Sequence, residues 1–216
     1  IVDAIITKNT TLSGITGALI TLSEDQKTAL RHAASSPILV ITGGPGCGKT
    51  TLVRSIVSLY RRAGIDFKLA APTGRAAQRL SEVCESEAST IHRLLKFDPA
   101  TRAFAFNEDN HLTADAIIID EFSMVDIQLA DSLLSALKRH TRVVIVGDAD
   151  QLPSVGPGLV LADLLAHESI GRVRLSKLFR QAEDSTISAV ALGVNEGKAP
   201  WLPKTSKVST PKDQDI

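Results

Sequence analysis

Apolar residues in this chain come in short blocks separated by longer stretches of mixed spacing. The blocks are PILVIT (37–42), FKLAA (67–71), AIIID (116–120), RVVIVG (142–147) and RVRLS (172–176), rich in β-branched and aliphatic side chains. Strands covered on both faces read this way, because neither side of the pleat meets water. Between the blocks the apolar positions recur at helical spacing, as in EDQKTALRHAA and KTTLVRSIVSLYRR. Alternating strand and helix predicts an α/β fold, a mainly parallel sheet with helices on both faces. One interval departs from this rhythm. DPATRAFAFNEDN (98–110) opens on Asp-Pro, alternates through Phe104 and Phe106 and leaves through asparagines. It fits either a small β-hairpin inserted near 97–111 or an irregular surface loop.

Composition narrows the setting. With 216 residues, 44% apolar and 22% charged, the chain has material for one core. Residues 22–197 are expected to form that domain. Residues 1–21 show no firm period and are expected to be a connection, and the polar, proline-rich residues 198–216 a linker or severed connection. The chain starts at Ile1 rather than Met, which suggests a piece of a longer protein. Lys+Arg and Asp+Glu balance at 24 each, so any nucleic-acid contact has to come from a local patch. Cys47 and Cys84 have no metal-ligand or C-x-x-C spacing, which implies a reducing compartment and a cytoplasmic location. The apolar runs are too short to span a bilayer, and no signal peptide opens the chain, so no membrane is expected.

The chemistry lies in the loops after the blocks. Ligands of parallel sheets bind beyond the carboxyl ends of strands, and GGPGCGKT, APTGRAA, DEFS and GDADQLP all begin there. GGPGCGKT (43–50) satisfies G-x-x-x-x-G-K-[ST] between a strand and a helix, the context in which that spacing cradles phosphates. Gly43, Gly44, Gly46 and Gly48, with Pro45 and Cys47 among them, let backbone N–H groups point inward at the mouth of a helix. Lys49 is expected to reach the β and γ phosphates and Thr50 to give its hydroxyl to Mg²⁺, with Thr51 completing the set. ATP and Mg²⁺ are the predicted cofactors. Cys47 reads as a space-filler. Asp120 stands at the tip of a buried strand, where a carboxylate is costly unless it meets a cation. Glu121 can orient or deprotonate the attacking water. Alone, Asp-Glu after a strand is also a common solvated loop start. APTGRAA offers Thr73, the exposed backbone at Gly74, and Arg75 and Arg79 one turn apart, as phosphate contacts or as a solvated helix face.

Taken together, GGPGCGKTT, APTGRAA (71–77), STIHRLL (89–95), DEFSMVD (120–126), VGDADQLPSVGPG (146–158) and KLFRQA (177–182) resemble, in order and spacing, superfamily 1 DNA helicases of the RecD/TraA type. The resemblance covers about residues 22–195 and only the first of that family's two motor domains. It implies a RecA-like P-loop NTPase fold and an ATP-dependent DNA helicase moving 5′ to 3′ on single-stranded DNA. A helicase–nuclease or relaxase complex is the implied setting in recombination, repair or conjugation. Without the second RecA-like domain, whose arginine the family adds to the site, this chain alone is expected to turn ATP over poorly.

The resemblance also assigns roles. Gln151 becomes a γ-phosphate sensor, with Asp148 holding its loop; otherwise it is an exposed loop residue. Arg180 becomes the arginine that reaches the γ-phosphate from the same domain, or else a surface arginine. Gln26 becomes the adenine reader, although Ser23-x-x-Gln26 is equally a capping box. Thr73, Gly74, Arg75, Thr90, His92 and Arg93 line the single-stranded DNA groove, His92 being alternatively a packed helix residue. Phe104 and Phe106 face a fork as part of a wedge, or form the packed side of a hairpin. Outside the resemblance stand a nucleotide-binding interaction module with a silent ATPase, an oligomeric AAA+-like ATPase and a nucleoside-phosphate kinase.

Overall fold

A computed structural model of the chain describes residues 22–177. Residues 1–21 and 178–216, with Arg180 among them, lie outside the described residues, as do the expected terminal connections. In chain order the strands are β1 (Ile38–Thr42), β2 (Phe67–Ala71), β3 (Ala88–Thr90), β4 (Phe97–Asp98), β5 (Ala103–Phe104), β6 (Ala116–Ile119), β7 (Arg142–Gly147) and β8 (Gly171–Arg174). All but β4 and β5 form one sheet in the order β3-β2-β6-β7-β1-β8, every neighbouring pair parallel. The helices are α1 (Glu24–Ser35), α2 (Lys49–Ala63), α3 (Gly74–Cys84), α4 (Ile91–Leu94), α5 (Ile127–Ser135) and α6 (Val160–Ala166).

Residue parity explains why the strand blocks are solidly apolar. Leu39 and Ile41 of β1, Ile118 of β6 and Val144 and Val146 of β7 join one core with Leu30, Leu52, Ile56, Tyr60 and Leu80. Their neighbours Val40, Ile117, Ile119, Val143 and Ile145 join a second core with Ile91, Phe122, Leu133 and Val160. Both faces of the pleat are therefore dry, as the patterning predicts. Tyr60 keeps its polar end satisfied by donating to the Ala33 carbonyl at 2.9 Å, and burial pushes its hydroxyl up to about 12.

Three details depart from or refine the sequence expectation. The edge strand β3 was not among the five blocks, because it is three residues long and half-buried. RVRLS stops being strand at Arg174. The insert is a hairpin of the two-residue strands β4 and β5, pairing Phe97 with Phe104. Phe104 and Phe106 are half-buried against the second core, the packed arrangement rather than an exposed face.

Candidate functional site

Strand order decides which loops meet. β6, β7 and β1 are neighbours, so the loops carrying Asp120 and Glu121, Asp148 and Gln151, and residues 43–50 leave the sheet side by side. β2 and β3 continue the same edge and bring Thr73 and Thr90 next to it, with Ala71 paired to Thr90.

The glycine loop is shaped by backbone requirements. Gly46 and Gly48 have φ of 78° and 77°, left-handed values that favour residues without a Cβ. At Gly43 a Cβ would lie 2.9 Å from the Leu175 carbonyl, where Leu175 donates its N–H to Thr42. A Cβ on Gly44 would meet nothing within 4 Å, so the loop is open on that side. Lys49 donates to the carbonyls of Gly43 and Gly44 and lies 3.6 Å from Asp148. Thr50 and Thr51 are half-buried at the start of α2, and Pro45 is exposed. Cys47 is buried, and burial raises its thiol above the usual range, which suits a space-filler rather than a nucleophile.

Asp120 is anchored through its N–H to the Ala70 carbonyl at 2.9 Å. Its Oδ1 accepts the Glu121 N–H at 3.0 Å. Burial raises its carboxyl above the ordinary range and the neighbouring Glu121 charge adds to this, opposed by the Glu121 N–H, Lys49 and Arg79. Such a carboxylate suits a bound cation. Among the described residues no group of three or more His, Cys, Asp or Glu could hold a metal. One carboxylate and the Thr50 hydroxyl, completed by phosphate oxygens and water, is the sparse donor set that Mg²⁺ accepts.

The raised carboxyl has a measurable consequence. The native state binds the Asp120 proton more tightly than the unfolded chain does, so this residue's contribution to stability falls as pH rises through the raised value. Asp120→Asn, which still accepts from Glu121, is expected to melt above the unsubstituted protein at pH 7 without nucleotide. The difference should shrink as pH falls toward the unfolded carboxylate value of about 3.9. Equal melting temperatures at pH 7 would show that this half-buried charge is already compensated.

Glu121 has φ of 54°, left-handed for a side chain that gains nothing intrinsic from it. It caps the 3-10 turn Phe122–Met124. Gln151 is exposed, its N–H donating to the Asp148 carbonyl at 3.2 Å and its Nε2 to Asp148 Oδ2 at 3.4 Å. Gln26 is fully buried. Its Oε1 accepts the Ser23 N–H at 3.0 Å, and its Nε2 donates to the Gly48 carbonyl at 3.3 Å. The capping box is therefore formed, and the same amide ties α1 to the phosphate loop.

On the other half of the edge, the Thr73 and Thr90 hydroxyls accept N–H groups of Ala76 and Arg93 at 3.2 and 3.1 Å, capping α3 and α4. Each hydroxyl keeps its own proton to donate. Gly74, Arg75, Arg79 and Arg93 are exposed, and Arg93 lines a cavity with Asp66, Lys68 and Glu87 at the amino ends of β2 and β3. His92 is exposed rather than packed inside, its ring edge-on to Phe97 at 5.5 Å and 5.7 Å from Phe104.

Two residues escaped the sequence reading. Thr42 accepts the Ala149 N–H at 3.2 Å, joining β1 to the Gln151 loop; a hydroxyl closing an apolar block was its only signal. Ser123 is buried in the turn after Glu121, and the sequence holds no sign of what surrounds it.

Residues 26–157 match the AAA domain family. The chain is 41% identical over 179 residues to the ATP-dependent RecD2 DNA helicase of Deinococcus radiodurans, covering 83% of this chain and 24% of that protein. The RecBCD enzyme subunit RecD of Mycolicibacterium smegmatis is 38% identical over 197 residues, 79% of this chain and 36% of the relative. A Pif1 helicase, solved as two coordinating copies to explain unwinding of forked double-stranded DNA, aligns with a TM-score of 0.58. It is 25% identical over 82% of this chain and 48% of its own. This chain thus spans about a quarter to about a third of these two curated relatives.

Proposed function

Because the chain belongs to the AAA domain family and is a RecD-type superfamily 1 helicase motor domain, we propose that it couples Mg-ATP hydrolysis to 5′-to-3′ movement on single-stranded DNA. The observation that carries this reading is the single sheet edge. Loops after β6, β7 and β1 bring Lys49, Asp120, Glu121, Asp148 and Gln151 together, and β2 and β3 set Thr73 and Thr90 beside them. A change at the nucleotide has only one strand interval to cross to reach the DNA.

In this mechanism Lys49 exchanges the Gly43 and Gly44 carbonyls and Asp148 for phosphate oxygens. Thr50 and Asp120 are the residues that would hold Mg²⁺, which would supply positive charge to the phosphates. Glu121 takes a proton from the attacking water. Gln151, a neutral amide, reports whether a third phosphate is present without altering the charge of the site. Arg180 supplies positive charge to the γ-phosphate. Gln26, fully buried with its amide bonded to Ser23 and Gly48, holds the loop to α1; reading the base would require that amide to give up one of these bonds. Thr73, Gly74 and Thr90 donate to the DNA backbone while Arg75 and Arg93 neutralise it, and His92 presents a ring to a base. The whole protein, carrying the second motor domain, is the working unit, in the cytoplasm and within a DNA-processing complex.

The full-length protein tests this through single-stranded-DNA-stimulated ATPase and displacement of strands bearing 5′ or 3′ overhangs. Stimulated turnover with preference for 5′ overhangs is expected, and turnover indifferent to DNA would favour the silent interaction module. Arg75→Ala with Arg93→Ala is expected to leave ATP affinity intact. It should flatten the slope of log affinity for single-stranded DNA against log salt by about 0.7 for each phosphate that is no longer neutralised. An unchanged slope would return both arginines to a solvated face.

A further inference from the structure

The Ser123 hydroxyl is buried with no hydrogen-bond partner among the described residues. A hydroxyl so placed is a net cost to folding, which makes its surroundings informative. Ser123 lines a cavity of about 190 Å³ whose other polar side chains are Asp148 and Gln151, and whose walls include Val125, Pro153 and Leu161. The turn and the loop start are in close contact, since a Cβ on Gly147 would lie 3.2 Å from the Ser123 nitrogen and 2.7 Å from Leu161.

Asp148 is only 2% exposed. Its side chain accepts the Asp150 N–H at 3.1 Å and a long bond from Gln151 at 3.4 Å, and its cationic neighbour is Lys49 at 3.6 Å. A lysine that turns to phosphate withdraws that cation from a buried carboxylate, which then needs another donor. We propose that Ser123 is a positioning residue. Its hydroxyl donates to Asp148 when Lys49 engages the nucleotide, and so fixes the loop that carries Gln151. The backbone N–H of Gln151 is bonded to Asp148, so holding one holds the other. This rests on the phosphate-sensing role proposed for Gln151.

The test uses the full-length protein. Ser123→Ala is expected to lower kcat for DNA-stimulated ATP hydrolysis about tenfold, the size of one hydrogen bond to a charged group. The dissociation constant for a non-hydrolysable ATP analogue and the KM should stay unchanged. The melting temperature should hold or rise, because an orphaned hydroxyl has been removed. Ser123→Thr, which keeps the hydroxyl, should retain most of kcat. In a Gln151→Ala background Ser123→Ala should cost nothing further, since the two act in series. A fall in melting temperature accompanying the loss of kcat, or losses that multiply in the double variant, would overturn the proposal. Normal kcat in Ser123→Ala beside a defective Gln151→Ala would remove Ser123 alone. Normal kcat in Gln151→Ala would overturn the sensing reading and this one with it.

Discussion

Lys49→Ala in the full-length protein is expected to lower DNA-stimulated ATP turnover by at least about 10²- to 10³-fold, the usual cost of losing one preorganised donor at a developing anion, and to abolish strand separation. The ammonium stands at the carboxyl end of β1, held by the carbonyls of Gly43 and Gly44 and by Asp148 at 3.6 Å. It is thus positioned by the loop it serves. Alanine removes the charge and leaves Asp148, buried to 2% exposure, without its cation. Lys49→Arg separates the two consequences. A guanidinium keeps a cation near Asp148, yet its planar fork is not shaped for the compact pocket of a P-loop lysine. Stability near that of the unsubstituted protein with turnover still lowered is the expected outcome. Retention of every DNA activity by Lys49→Ala would defeat the motor reading in favour of an interaction module.

Glu121→Gln is expected to lower kcat by about 10²- to 10⁴-fold, the range for removing a positioned general base, with nucleotide affinity nearly unchanged. Glutamine has the same shape and keeps the backbone bonds. The Glu121 N–H still reaches Asp120 Oδ1, and the Glu121 carbonyl still accepts from Met124 at 3.2 Å. What disappears is the ability to accept a proton from water. The left-handed backbone at φ 54° aims this side chain and carries a conformational cost that the surrounding contacts have to hold in place. Single-turnover measurements, which isolate the chemical step from product release, provide the check. An unchanged single-turnover rate would transfer the role of base elsewhere in the site.

The phosphate loop was legible because its chemistry depends on spacing alone. Gly43, Gly48, Lys49 and Thr50 must fall at fixed intervals between a strand and a helix, and that interval is a property of the chain. The DEFS acids were legible only as candidates, since Asp-Glu after a strand is also a common solvated loop start; the half-burial of Asp120 and the bond of its Oδ1 to the Glu121 N–H came from the structure. β3 was not legible, because three half-buried residues carry no period and its place in the sheet comes from pairing with β2. The insert was legible as an irregularity, but whether Phe104 and Phe106 faced out or in required the second core to be present. Gln26 shows the boundary within one residue. Its capping box was written in Ser23-x-x-Gln26, whereas its bond to the Gly48 carbonyl joins residues far apart in sequence.

The sequence by itself determined the α/β class, the dry faces of the sheet, the glycine loop between strand and helix and the place of the acids after a strand, because periodicity and motif spacing are local. Tertiary structure alone decided that the strands run in the order β3-β2-β6-β7-β1-β8. That order makes neighbours of Lys49 and Asp148, leaves Ser123 lining one cavity with Asp148 and Gln151, and sets Thr73, after β2, and Thr90, in β3, beside the loops of β6, β7 and β1. Lateral pairing of strands distant in the chain is governed by the packing of both cores at once, and no local stretch of residues encodes it.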